Sequence, residues 1–437
     1  MVTYILKIIT FLIVMSLLYS CTKEKTYNEP VIEIYSPNLE QEYLLPNSIN
    51  INCNIEHNKP IEYVRLSVDN KNMISISQQL FLSPSSNYLT IDTNLTIKIL
   101  SNEAMQPPYF VHIVVGDLIE DNHYYREIVL HNGQKSLKGY FLITNQGVNV
   151  LNIRYYNSLF QTEYNFEAVG NYNASGISTN SSSLFVSSST PDRTIAYNSV
   201  DGNISWTKNP QLPYPRFNNI AVDNNRVYIS TEIGRIIGLD NRDGTQVFST
   251  PVLPDSVPNN ICLTKDYLVS DFTVRNSNSK FWTVFYKQTG YKYRVVDTNF
   301  ETVDLYANIN ENRVIAFCNT NSNGRIITYD ITNNNIEETI IIDNISIDNS
   351  CKIDNNNYLF SSNNFLFHAD IYNKTSIKIA SADDNIIDLK FNYINNQIIL
   401  VYSSKVEILS YPQLTIVKTI NSNYLMEEIE LLYGYNK

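Results

Sequence analysis

The chain has 437 residues and a formal net charge of −11, with 43% hydrophobic and 12% aromatic residues. That is enough apolar material for sizeable cores in two or more domains, and the acidic balance argues against nucleic acid or an acidic membrane surface as a partner. Glycine is scarce (13) and tyrosine abundant (32), with asparagine crowding the turns. Tyrosine favours strands and asparagine tolerates left-handed turn geometry, so the bias predicts short β-strands joined by polar turns.

In chain order, Lys7 precedes a mostly apolar run from Ile8 to Leu18, which ends in Leu18-Tyr19-Ser20-Cys21. A basic flank, a short apolar segment and a small residue before the cut form a secretory signal, too short to span a bilayer, which takes about 20 apolar residues. The Leu-x-Ser-Cys ending resembles the lipobox of bacterial lipoproteins. The resemblance implies a signal peptide over 1–20, a lipidated Cys21 and a tether over 21–29. It also implies several acyl chains, which anchor a protein firmly without a spanning helix. Thr22 stands where some inner-membrane lipoproteins carry aspartate, which favours an outer-membrane address. Lys23-Glu24-Lys25 is only a faint match to the acidic tethers of Bacteroidota surface lipoproteins, so cell surface and periplasmic face both stay open.

Residues 30–131 alternate in the manner of strands. Ile49 to Ile55 and Tyr63 to Val68 keep period two, Leu89-Thr90-Ile91 and Leu95-Thr96-Ile97 continue it, and Tyr109 to Val115 leads through Gly116-Asp117 into Tyr124 to Leu130. Alternation over five to seven residues buries one face and wets the other, and about seven such strands in about 100 residues predict a β-sandwich. The pattern resembles the Ig-like modules that open many secreted Bacteroidota proteins, which implies a spacer or a binding module. Besides Cys21 there are Cys53, Cys262, Cys318 and Cys351; none has metal-like or CxxC spacing, and all read as small buried hydrophobes, with disulfides left open.

From residue 139 the chain repeats. Ala196 to Trp206 and Gly238 to Phe248 match at an offset of 42: a small residue, an Asn or Asp closing a strand, an Asp-Gly turn, then an aromatic. Asp-Gly supplies the positive φ that a tight hairpin needs. Weaker copies place equivalent positions at 152, 198, 240, 286, 330, 370 and 410. Units of about 40–45 residues are four-stranded propeller blades. The two well-formed units resemble PQQ-like repeats, and the whole resembles PQQ-like and YncE-like (YVTN-type) rings. The expected fold is therefore all-β, an Ig-like sandwich over 30–131 followed by a seven-bladed propeller over 139–437. The first unit is one strand short and a spare strand-like run, Met426 to Tyr433, ends the chain. That run is expected to complete the first blade, because closing the ring removes both exposed edges.

Catalytic chemistry is hard to find. Quinoprotein dehydrogenases, which the repeat resembles, carry eight blades and a tryptophan in most repeats. Here only Trp206 and Trp282 occur, and only Trp206 stands in the repeat position, where it reads as packing between blades. Of the five histidines, His57, His112, His123 and His131 belong to the sandwich or its end and His368 stands alone in the ring. A metal centre or a nucleophile–His pair needs convergent groups, and no Gly-x-Ser-x-Gly elbow or phosphate-cradling loop is present. The chain is read as a non-enzyme with no cofactor, no metal and no nucleic-acid partner.

What remains is a binding face, built from the loops that lead into each blade and those between second and third strands. It carries the proline-rich stretch Pro210 to Arg216, Glu232, a long loop from Asp271 to Lys280, and Asp383-Asp384. Tyr214, Arg216, Glu232 and Arg275 are the candidate ligand-binding residues, since tyrosine and arginine bury area while keeping a polar handle. The expected role is a membrane-anchored lipoprotein whose propeller binds a protein, glycan or small nutrient. The rivals are a periplasmic scaffold similar to the propeller lipoprotein of the β-barrel assembly machine and a degenerate lyase or lactonase.

Overall fold

The computed structural model describes residues 29–98, 100, 106–117, 120–210, 216–223, 225–277, 279–307 and 311–435. Cys21 and Tyr214 lie outside the described residues. Among those described, all regular structure is β. The chain divides into two compact units between Gln134 and Lys135.

The first unit has two sheets around one core. Strands Val31–Ser36, Asn47–Ile61 and Ser86–Ile97 form one; Gln41–Leu45, Asp121–Asn132, Tyr109–Gly116, Tyr63–Asp69 and Leu80–Leu82, in that spatial order, form the other. Inward residues of both sheets, among them Ile51, Cys53, Leu66, Ile91, Ile113 and Ile128, share a single buried cluster. One pair, Gln41–Leu45 with Asp121–Asn132, is parallel. The two short segments expected at Leu89–Ile91 and Leu95–Ile97 are one strand. The polar residues between them read as a break, but Asp92 and Asn94 lie on the solvent face, where Asn50 Nδ2 donates to Asp92 Oδ1 at 2.8 Å.

The second unit holds seven four-stranded sheets. In blades 2 to 7 the strands run in chain order from the innermost outwards, all antiparallel. Their innermost strands are Asn171–Ser178, Phe217–Val222, Ser256–Leu263, Glu301–Ala307, Asn349–Lys352 and Asp388–Asn392. Blade 1 is assembled from both ends of the unit: Lys135–Gly147, Val150–Asn157 and Thr162–Val169 take the outer places, and the closing strand Leu425–Tyr435 is innermost. Each innermost strand packs against the next, and the closing strand packs against those of blades 7 and 2, so the cycle is complete. Seven sheets, radial strand order and a closed cycle make a seven-bladed propeller.

The closing strand runs antiparallel to Lys135–Gly147, from Leu425 opposite Asn145 to Tyr435 opposite Lys135. Its Met426, Ile429 and Leu431 join the core shared with Ile399, Val406 and Ile408 of blade 7, while Leu432 joins the core that contains Leu184 and Val186 of blade 2. Four buried side chains at about 1.5–3 kcal/mol each amount to about 6–12 kcal/mol, comparable with the whole stability of a typical domain.

The turn that gives the repeat its signature recurs in all seven blades. Between the third and outermost strands one residue sits at positive φ: Phe160 (61°), Gly202 (72°), Gly244 (72°), Gly290 (77°), Asn334 (52°), Lys374 (54°) and Leu414 (60°). This corrects the register of the first copy. The strand-closing equivalent of Asn198 and Asp240 is Asn157, not Asn152, which lies inside its strand. Asn157 Oδ1 accepts from Leu159 N as Asn198 Oδ1 accepts from Val200 N, but the blade 1 turn is one residue shorter and uses Phe160 where blades 2 to 4 use glycine.

The glycine and the aromatic of the motif are one packing unit. Trp206, on the outermost strand of blade 2, lies under the turn of blade 3, and its Nε1 donates to Asn241 O at 3.2 Å. A Cβ on Gly244 would sit 2.8 Å from the Trp206 ring.

Two predictions follow from this architecture. Removing residues 426–437 should abolish the cooperative unfolding transition of the propeller, measured by circular dichroism in urea; an unchanged midpoint would refute closure by this strand. Gly244→Ala should cost about 2–4 kcal/mol, the sum of left-handed backbone strain and a displaced ring, in the same measurement.

Candidate functional site

The innermost strands are not smooth. Five of the seven carry a β-bulge near their start, at Asn173, Asn218-Asn219, Asn259-Asn260, Val303 and Glu427. A bulge re-aims side chains, and here asparagines near the strand starts reach to the next blade. Asn173 Nδ2 donates to Phe217 O at 2.8 Å, Asn260 Nδ2 to Val303 O at 3.1 Å and Asn349 Nδ2 to Ile386 O at 3.0 Å.

Inside this ring lies a cavity of about 610 Å³ to which every blade contributes. Its charged residues come from four blades. Lys390 Nζ lies 2.5 Å from Glu428 Oε1 and 3.7 Å from Asp388 Oδ1, which ties blade 7 to the closing strand. From blade 2, Tyr172 Oη donates to Glu428 Oε2 at 3.1 Å and Ser175 Oγ to Glu430 Oε1 at 2.7 Å. Across the cavity, Ser350 donates from N (2.9 Å) and Oγ (2.7 Å) to Asp304 Oδ2, and Tyr306 Oη donates to Ser350 O at 2.7 Å. Lys352 Nζ donates to Ala307 O at 3.0 Å.

Local sequence explains this placement. In Met426-Glu427-Glu428-Ile429-Glu430-Leu431 the apolar members turn into the inter-blade core, while Glu428 and Glu430 turn to the lumen. Asp388-Leu389-Lys390 alternates in the same way: Leu389 is buried in the core shared with Cys351, Leu359 and Ile398.

The cluster is electrostatically crowded. Burial and the neighbouring Asp388 push the Glu428 carboxyl well above its usual value, and burial raises Glu430, Glu427 and Asp304. Burial works against the Lys390 ammonium, but Asp388, Glu428 and Glu430 outweigh it and hold that pKa well above the ordinary lysine value. Burial lowers Lys135, and lowers Lys352 against the opposing influence of Cys262, Asp354 and Glu311. The four cysteines Cys53, Cys262, Cys318 and Cys351 are free and buried, and burial raises their thiols, Cys53 to about 11 and Cys262 to about 12. Among the described residues no group of three or more His, Cys, Asp or Glu is arranged to hold a metal.

Of the residues picked from sequence, Arg216, Glu232 and Arg275 lie in loops, before the innermost strand of blade 3 and after the second strands of blades 3 and 4, and none of them lines the cavity. Arg216 Nη1 and Arg275 Nη2 flank Glu232, each 3.8 Å from one of its carboxylate oxygens, and Arg275 Nη2 also donates to Glu232 O at 2.5 Å. The arginine side chains are 64% and 50% exposed. Exposed pairs of this kind contribute only about 0–1 kcal/mol, so the guanidinium groups are cheap to redirect. The long loop expected from Asp271 to Lys280 is shorter than expected: Asp271 to Val274 belong to a strand. Asp271 is buried there, accepting from Asn259 Nδ2 and Asn260 N.

The lumen residues Tyr172, Asp304, Asp388, Lys390, Glu428 and Glu430 were not among the candidates. Their signal was present as charged residues alternating with apolar ones inside strands, and as paired asparagines at strand starts.

No protein-family profile and no curated protein sequence matches the chain. Among solved structures, BamB from Moraxella catarrhalis is similar over 66% of this chain and 92% of its own, at 12% identity and a TM-score of 0.42. The propeller assignment stands on the sheet order and ring closure described above.

The raised carboxyl pKa values fix the sign of a pH effect. A carboxyl that binds its proton more tightly when folded favours the fold at low pH, and that contribution is lost as pH rises from the ordinary value of about 4.5 through the raised one. Glu430→Gln keeps the acceptor for Ser175 and removes the charge. It should therefore raise the melting temperature at pH 7.5 relative to wild type and flatten its decline between pH 5 and 7.5. A steeper decline in the variant would refute the assignment.

Proposed function

We propose that this chain is a cell-envelope lipoprotein that acts without catalysis, its propeller serving as a binding platform for a protein, glycan or small nutrient. The observation that carries this reading is the lumen: seven blades converge on one polar cavity of about 610 Å³. Its volume lies within the range of about 300–1,000 Å³ usual for small-molecule sites, and its lining is more polar than theirs, which suits a hydrophilic ligand. The pair of arginines around Glu232 offers a second point of contact. The envelope address rests on the signal-like segment and Cys21.

Two measurements test the reading. Cys21→Ser should move the protein from the membrane pellet to the soluble fraction, and protease treatment of intact against lysed cells then distinguishes the outer surface from the periplasm. Persistent pelleting of the variant would sink the lipid anchor. A thermal-shift panel of oligosaccharides, peptides and small nutrients should give at least one shift that Asp388→Asn reduces. Turnover of any panel member would overturn the non-catalytic role.

A further inference from the structure

The lumen is polarised along its length. Asp388, Glu427 and Glu428 sit in the first part of their innermost strands and Asp304 and Glu430 at the middle of theirs, with Lys390 the single ammonium among them. Among the described residues Asp388 Oδ2 meets no hydrogen-bond donor. The opposite end carries Lys352, on which Asp354 and Glu311 act only from beyond ion-pair distance, and Lys135. Lys352 is the last residue of its strand and donates to a backbone carbonyl. Lys135 pairs with Tyr435 at the far end of the closing strand and lies 5.2 and 4.9 Å from the ring centres of Tyr393 and Tyr433. Neither has a carboxylate within ion-pair distance among the described residues. A second cavity of about 400 Å³, lined by Lys135, shares Ile261, Leu305 and Tyr306 with the first, so the two adjoin.

A walled space that is acid-rich at one end and lysine-bearing at the other selects a ligand that is positive at one end and negative at the other. The spacing sets its length. Ser350, which holds the Asp304 carboxylate, and Lys352 are two residues apart on one strand, and Glu430 and Tyr435 five apart on another. At about 3.3 Å per residue these separations are roughly 7 and 17 Å. A single amino acid is too short, whereas an extended peptide covers about 3.3–3.6 Å per residue, so two to five residues span the range.

We infer that the lumen is a binding site for short peptides with free termini, the terminal ammonium held at the Asp388–Glu428–Glu430 end and the terminal carboxylate at the Lys352–Lys135 end. This rests on the binding-platform reading and names its ligand class. Recognition is by the two termini and the backbone, with the Asn and Ser side chains of the wall available to peptide groups. The Tyr393 and Tyr433 rings flank the Lys135 ammonium.

Calorimetric titration of the purified chain with trialanine, N-acetyl-trialanine and trialanine amide at low ionic strength tests it. Free trialanine should bind, and each cap should weaken binding at least tenfold. Lys352→Met should weaken the free acid and leave the amide unchanged, so that the two converge; thermal melts of the variant check its folding, and the capped series on wild type decides the matter if it fails to fold. Equal binding of capped and free peptides, or no binding of trialanine at millimolar concentration, overturns the inference. If trialanine is inert while a glycan or another nutrient of the wider panel binds and Asp388→Asn weakens it, the platform stands and the peptide class falls. If nothing binds, both fall.

Discussion

The pairing of Leu425–Tyr435 with Lys135–Gly147 is the constraint on which the rest of the propeller depends. A row of sheets arranged around an axis has two free edges until something joins them, and edge strands are open templates for aggregation. Here the join does more than satisfy backbone hydrogen bonds. The same strand delivers apolar side chains to the cores it shares with blades 7 and 2, and carboxylates to Lys390, Tyr172 and Ser175. Closure and the polar lumen are thus one structure.

That coupling explains why a cluster of raised carboxyls persists. Crowded buried carboxylates cost stability at neutral pH, and the hydrophobic contribution of the closing strand is large enough to carry them. Lys390 offsets part of the cost by ion pairing, and Tyr172 and Ser175 satisfy oxygens that would otherwise be orphaned. A propeller that needed its lumen only as a structural axis could fill it with apolar side chains at lower cost.

Much of this was legible in the chain. The Asp201-Gly202 and Asp243-Gly244 turns, each followed by an aromatic, set the blade period, and the spare run at the end pointed to its partner. The first copy was misaligned because its turn is one residue shorter than the others as well as lacking glycine: Phe160 takes the left-handed position and stacks on Tyr140. Lys374 and Leu414 likewise occupy that position without any sequence mark of it. Arg216, Glu232 and Arg275 were found from loops and from the residue types that favour contact. The lumen was not, because its chemistry lies on strands, and a charged residue at an alternate position of a strand reads as solvent-facing unless the ring that encloses it is known. Seven separate strands converge only after folding, so no local spacing announces Asp304, Asp388 and Glu428 as neighbours.

Ser136 and Gly434 touch although 298 residues separate them. At a synthesis rate of roughly 5–20 residues per second, the first three strands of blade 1, complete at Val169, wait about 13 to 53 seconds for the fourth to end at Tyr435. Throughout that interval the inner edge of Lys135–Gly147 is unpaired. Until the last strand arrives the ring keeps one open seam, and order of synthesis alone makes that seam the last part of the propeller to be sealed.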